Sequence, residues 1–188
     1  MRKVVYIAGV VFFFAGLAEA QVPTSGNVFF GYSYYNTNLS SNDRASTNGW
    51  EGTLEGKVFP FLGIVADISG DYGSQNFTTR VACGLPPCPP PITTFSANVS
   101  EYNVLFGPRA SASIGKFRPF VEAEFGVGHV NANAAGSSTS FATALGGGLD
   151  YRLFRPVAWR FQGDYVSTRF FSTTQNNVRL STGIVLRF

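Results

Sequence analysis

Residues 177–188 read Asn-Val-Arg-Leu-Ser-Thr-Gly-Ile-Val-Leu-Arg-Phe, "NVRLSTGIVLRF". Counted back from Phe188, every second residue is apolar or Thr: Leu186, Ile184, Thr182, Leu180, Val178. The positions between hold Arg187, Val185, Gly183, Ser181 and Arg179. A period of two places one set on each face of a β-strand. The segment is therefore a strand with one apolar face and one face that carries charge.

The same alternation recurs upstream, interrupted at regular intervals by turn residues, while helical periodicity is weak throughout. Eight strands are expected, near 27–35, 49–59, 62–73, 98–112, 119–130, 141–151, 157–168 and 177–188. The connections after the second, fourth and sixth strands are short: 59–62, 113–118 and 152–156. Those after the first, third, fifth and seventh are long and polar: 36–48, 74–97, 131–140 and 169–176. Alternating long and short connections are the habit of membrane-spanning β-barrels.

Charge within each strand keeps one parity. The sets are Glu51/Glu55/Lys57, Asp67/Asp71, Glu101/Arg109, Glu122/Glu124, Asp150/Arg152, Arg160/Asp164 and Arg179/Arg187. Even spacing puts each set on one strand face. The opposite faces are apolar or small, as in Ile64/Ala66/Ile68/Tyr72 and Val121/Ala123/Phe125/Val127. Large aromatics gather towards strand ends: Tyr32, Tyr34, Trp50, Tyr72, Phe59, Phe61, Phe117, Phe120, Phe154 and Trp159. That distribution suits two interfacial girdles.

A soluble sandwich would alternate in the same way, with the charges facing water. Composition argues against it. Charged residues make up 13% of the chain, against roughly 25% in an ordinary soluble domain. Aromatics make up 15%, with 19 Phe. After Glu19, the acids other than Asp43 lie in strands, while the long connections are rich in Ser, Thr and Asn. The reading is therefore inverted, with apolar faces to lipid and charges inward. The fold expected is all-β, an eight-stranded antiparallel up-and-down transmembrane barrel. The residues named above, from Glu51 to Arg187, form a lumen ion network of nine acids and six bases. So narrow a barrel is filled by side chains, and buried ions must pair or stay hydrated. A salt-bridge ladder is expected in place of an open channel.

The chain starts Met-Arg-Lys, runs apolar from Val4 to Leu17 and reaches Ala18-Glu19-Ala20. This is the pattern of a secretory signal peptide over 1–20, leaving 21–188 as the barrel domain. The apolar run is too short for a membrane helix, which needs about 20 residues. Without Arg2, Lys3 and Glu19 the net charge falls from +3 to +2. The bases form no run, so nucleic acid is not an expected partner.

Four stretches, "RPFVEAEFGVGHV" (118–130), "FATALGGGLDYRL" (141–153), "RFQGDYVSTRFF" (160–171) and "QNNVRLSTGIVLRF" (175–188), together with "LFGPR" (105–109), resemble the small bacterial outer-membrane β-barrels of the OmpA-like group, in versions without a peptidoglycan-binding domain. The resemblance implies that both termini lie on the periplasmic side. It also implies an assembly signal at Ile184, Leu186 and Phe188, read by the barrel-assembly machinery. That group carries no common catalytic residues.

Cys83 and Cys88 lie in "CGLPPCPPP" within the longest connection. In an oxidising exterior they are expected to form a local disulfide, worth roughly 2 kcal/mol on the chain-entropy account. The sole His, His129, is remote in sequence, so no metal site and no cofactor is expected. A lipid-modifying enzyme would need a Ser nucleophile and a base near His129; position 131 is Asn. The acid pairs Glu51/Glu55 and Glu122/Glu124 would need a substrate cleft to act as acid and base. The glycines at 146–148 belong to no phosphate loop, lacking the Lys and the strand–loop–helix setting.

The function expected is that of a monomeric, non-catalytic envelope protein, embedded in outer-membrane lipids, that meets external ligands through loop 74–97. The alternatives are a narrow, weakly cation-preferring pore and a lipid-modifying outer-membrane enzyme.

Overall fold

The computed structural model describes residues 25–40, 43–80, 92–133, 136–170 and 174–188. The leader expected over 1–20 and the pair Cys83/Cys88 lie outside these. Eight strands follow one another: β1 (Gly26–Ser40), β2 (Asp43–Lys57), β3 (Leu62–Arg80), β4 (Ile92–Ser111), β5 (Phe117–Ala132), β6 (Gly136–Phe154), β7 (Val157–Thr168) and β8 (Gln175–Arg187). Each pairs antiparallel with its neighbours, and β8 closes on β1 from Asn27↔Arg187 to Asn36↔Val178. The result is a closed up-and-down barrel.

Its stagger can be read from the register. Starting at Asp150 on β6, the cross-strand partners run Arg160, Gly183, Gly31, Glu51, Ser69, Asn103, Gly128 and back to β6 at Ser140. The path returns 150 − 140 = 10 residues away. With eight strands, that stagger tilts them by about 40° to the barrel axis, leaving an interior that side chains just fill.

The strand count and faces match expectation, but several strands are longer. The β3–β4 ladder continues to Arg80↔Ile92, and β1–β2 to Ser40↔Asp43. The described parts of the connection expected over 74–97, residues 74–80 and 92–97, are therefore paired backbone, and Asp43 begins a strand. Thr, Phe and Ile in "FTTR" and "ITTF" favour extended backbone, and hairpin pairing completes it. At the other end the turns are tight. Phe59 and Leu62 bond each other's main chain. Ile114 and Phe117 close a turn in which Gly115 has φ +63, a left-handed value that glycine adopts without steric cost.

Burial follows parity around the wall. In β5 and β8 exposed and buried residues alternate almost without exception. The exposed set is apolar: Phe30, Ile64, Val121, Phe141 and Leu145 are each 58–67% exposed. On β3 the outward apolar row runs from Leu62 to Tyr72 before giving way to Ser74. Ten residues at about 3.3 Å each, tilted by about 40°, make a belt about 25 Å tall, the height of a bilayer's hydrocarbon zone as barrels meet it. Aromatics border it, including Tyr72 and Tyr102 edge to face at 5.7 Å on one rim and Phe117 and Tyr151 at 5.2 Å on the other.

Candidate functional site: the charged lumen and its two mouths

The inward faces of all eight strands converge on one interior, and the stagger decides which residues meet there. Three layers of differing chemistry result.

The layer at the short-turn end is rich in bases. Arg109 donates through Nε to Glu122 Oε2 at 2.6 Å and reaches Glu55 Oε2 at 3.4 Å. Arg160 donates through Nε to Asp150 Oδ1 at 2.7 Å. Arg187 contacts Asp150 Oδ2 at 3.3 Å. Lys57 lies 3.5 Å from Glu55 Oε1. Arg118 donates to the same oxygen at 3.0 Å.

Two aromatic rings share this layer. The Phe120 ring has the Arg109 guanidinium 4.5 Å from its centroid and that of Arg160 at 4.6 Å. Arg160 also lies 5.0 Å from Phe29. A guanidinium stacks well on a ring face because it is planar and weakly hydrated.

The middle layer turns on Arg179, which is fully buried. Its Nε donates to Asp164 Oδ2 at 3.0 Å, and Nη1 to Asp67 Oδ1 and Ser69 Oγ, both at 3.1 Å. Nη2 donates to Asp67 Oδ2 at 2.8 Å, and Glu51 lies 3.3 Å from Nε. Glu51 also accepts from Ser181 and from Gln162 Nε2 at 3.0 Å. Glu124 projects inward here, and neither of its carboxylate oxygens has a hydrogen-bond partner among the described residues.

Towards the long-connection end the lumen loses its bases. Asp71 faces Glu101 across β3–β4. Tyr35 Oη donates to Glu101 Oε1 at 3.0 Å and accepts from Asn177 Nδ2 at 2.9 Å. Above them Val99, Val130, Ala132 and Phe170 form a buried apolar cluster. Every charged layer is thus crossed by side chains from opposite walls.

Several expected positions need correction. Arg152 was expected inside; it is half-exposed at the short-turn rim, with no ion pair among the described residues. Phe120 was expected in a girdle; it shares parity with Glu122 and points inward, 4% exposed. Arg118 was read as part of a turn; β5 starts at Phe117 and carries it into the lumen. Parity with Glu122 would have found both.

The glycines of β6 have a packing reason: a methyl on Gly146 would overlap the Asp164 carboxylate. His129 is exposed on the outer wall, its Nδ1 2.7 Å from Thr139 Oγ1, a hydrogen bond in which either ring tautomer fits. Among the described residues no three His, Cys, Asp or Glu side chains form a metal-binding group. Ile184 and Leu186 lie on the outer wall of β8, and Phe188, just past its end, is exposed.

Solved structures with this fold are known. Neisserial surface protein A superposes with a TM-score of 0.65 at 14% identity, over 87% of this chain and 97% of that one. Ail, the attachment invasion locus protein of Yersinia pestis, solved with the heparin analogue sucrose octasulfate, gives 0.56 at 14% identity, over 87% and 98%. No protein-family model matches the chain, and no curated protein matches it in sequence. The likeness is one of fold, a closed eight-stranded antiparallel barrel.

Proposed function

We propose that the protein is an integral outer-membrane barrel of a bacterial envelope, non-catalytic and monomeric, whose lumen is a plug and whose long-connection end meets the outside. One observation carries this reading: the wall is apolar where it is exposed and ionic where it is buried. In water that arrangement would expose Phe30, Ile64 and Leu145 while hiding Glu51, Asp67 and Arg179, the reverse of what solvation favours. In a bilayer both halves are satisfied. The solved barrels that share its fold support the same setting, as does the leader expected over 1–20.

The lumen argues for a plug over the cation-preferring pore because Arg109, Arg160 and Arg179 each bridge separate strands. A non-catalytic role is favoured because His129 is bonded to Thr139 and position 131 is Asn. Specific recognition is assigned to the segment 74–97, because the β3–β4 ladder within it runs beyond the apolar belt.

Membrane fractionation with heat-modifiable gel migration of the refolded protein tests the setting; recovery in the periplasmic fraction would overturn it. Conductance in planar bilayers tests the plug. Steady single-channel currents would replace it with the pore. Lipid A mass spectra with and without His129→Ala test the absence of catalysis, and a difference between them would restore the enzyme.

A further inference from the structure

We infer that the short-turn mouth of the barrel is a binding site for a phosphate-bearing ligand, held by Lys57, Arg118 and Arg187. These three side chains line one cavity of about 550 Å³ at the end of the lumen. A second cavity of about 270 Å³ shares Arg187 and adds Arg152 and Arg155.

Charge balance at this end leaves the cations under-compensated. The inward bases are Lys57, Arg109, Arg118, Arg160 and Arg187. The acids among them are Glu55, Glu122 and Asp150, all buried. Lys116, Arg152 and Arg155 add three more bases on the rim. No acidic side chain among the described residues is exposed at this mouth.

Hydrogen bonding shows the same deficit. Lys57 and Arg118 share two acceptors, with the Pro60 carbonyl oxygen at 3.3 Å as a further one for Lys57 Nζ. Lys57 Nζ donates to Ser111 Oγ at 2.6 Å, and Arg118 donates to it from Nε at 3.2 Å and Nη2 at 3.0 Å. Both also approach Glu55 Oε1, at 3.5 and 3.0 Å. Arg187 shares Asp150 with Arg160, and its buried Nε has no hydrogen-bond partner among the described residues. Charged donors beside too few acceptors are what an incoming anion satisfies. Phosphate fits best, because its oxygens can take a guanidinium fork and an ammonium together.

The walls refine the ligand. Val58, Phe59 and Phe188 flank the larger cavity and are each 54–60% exposed. They continue the outer apolar belt up to the cations. A phosphate carried on an acyl chain would place its headgroup in the mouth and its chain along that belt. This lipid preference rests on the membrane reading above; anion binding itself does not.

The test uses the full barrel refolded in zwitterionic micelles. Amide shifts of Lys57, Ser111, Arg118 and Arg187 are followed by NMR during titration with inorganic phosphate. Retention of phosphatidylglycerol against phosphatidylcholine is read by native mass spectrometry. Wild type is compared with K57Q/R187Q and with K116Q, which removes a rim charge outside both cavities. Saturable shifts confined to this mouth, or selective retention of phosphatidylglycerol, are expected. K57Q/R187Q should weaken either by about tenfold, and K116Q should not. Phosphate binding without lipid preference assigns a soluble ligand; lipid preference alone assigns the headgroup. If the double variant does not show a folded band, K57Q alone is read, with about threefold weakening expected. Equal weakening by K116Q, or neither saturable shifts nor lipid preference in a barrel that migrates as folded, would overturn the proposal.

Discussion

Replacing Arg179 by Met tests the plug at its centre. The substitution keeps an unbranched apolar stem and removes one charge from among Glu51, Asp67 and Asp164, at 3.3, 2.8 and 2.9 Å. At separations near 3 Å each such pair is worth about 5–6 kcal/mol at an effective dielectric constant near 20. Summing three would overcount, because the acids repel one another and the guanidinium has given up its hydration. Removing one member of a buried ionic cluster costs a net of about 3–5 kcal/mol. Glu124, without a hydrogen-bond partner, argues for the upper half of that range. Denaturant unfolding in lipid vesicles, followed by tryptophan fluorescence and gel migration, would read the loss. Adding Asp67→Asn and Asp164→Asn to Arg179→Met removes the stranded charges and should recover most of it. A loss below about 1 kcal/mol for Arg179→Met would refute the reasoning, since water would then be solvating the acids as in an open channel.

Further substitutions test the wall and its packing. Leu145→Arg should cost about 2–4 kcal/mol in vesicles, because its side chain faces the belt well inside both rims, and Ile64→Arg, one outward residue from the Leu62 edge, should cost less but still destabilise; near-neutral values at both would turn the barrel inside out. Gly146→Val should destabilise by about 1–3 kcal/mol through overpacking, as its Cβ would land on Asp164 and 2.7 Å from the Gly163 carbonyl oxygen. Gly52→Ala, whose Cβ meets nothing closer than 3.8 Å, should be nearly neutral in the same unfolding assay. Phe120→Leu should cost about 1–3 kcal/mol by losing two stacked guanidinium groups, whereas Phe117→Leu on the outer wall should cost less than Phe120→Leu.

Much of this was legible from parity. Strand number, the inward set and the closing pair of strands all follow from a period of two and the spacing of turns. β7 was expected over the residues it occupies, because Pro156 and the polar run after Thr168 bound it on both sides. The ends of the other strands were less legible. Ser, Thr and Asn serve a loop and a polar two-stranded ribbon equally well, so Ser74 to Arg80 read as loop although it pairs with Ile92 to Asn98. Phe120 was misassigned because an aromatic next to Pro119 near a strand end looks interfacial; its parity with Glu122 was the stronger signal. The identity of the ion partners needed the stagger. Asp67 and Arg179 sit on strands that do not pair, and only a ten-residue offset brings their side chains across the interior.

The seam between β1 and β8 has a consequence for how the protein comes to exist. It joins residues such as Asn27 and Arg187, separated by nearly the whole described chain. Contacts that distant form late, since a long loop must close before they stabilise anything. Until then two strand edges lie open, each a template for pairing with any other extended chain. Seven strands cannot substitute for eight, because the ions of the interior acquire all their partners only when the circle is complete. Any chain that has made only its first strands therefore carries two open edges and an interior whose ions lack part of their partners, and the eighth strand removes both liabilities in one closure.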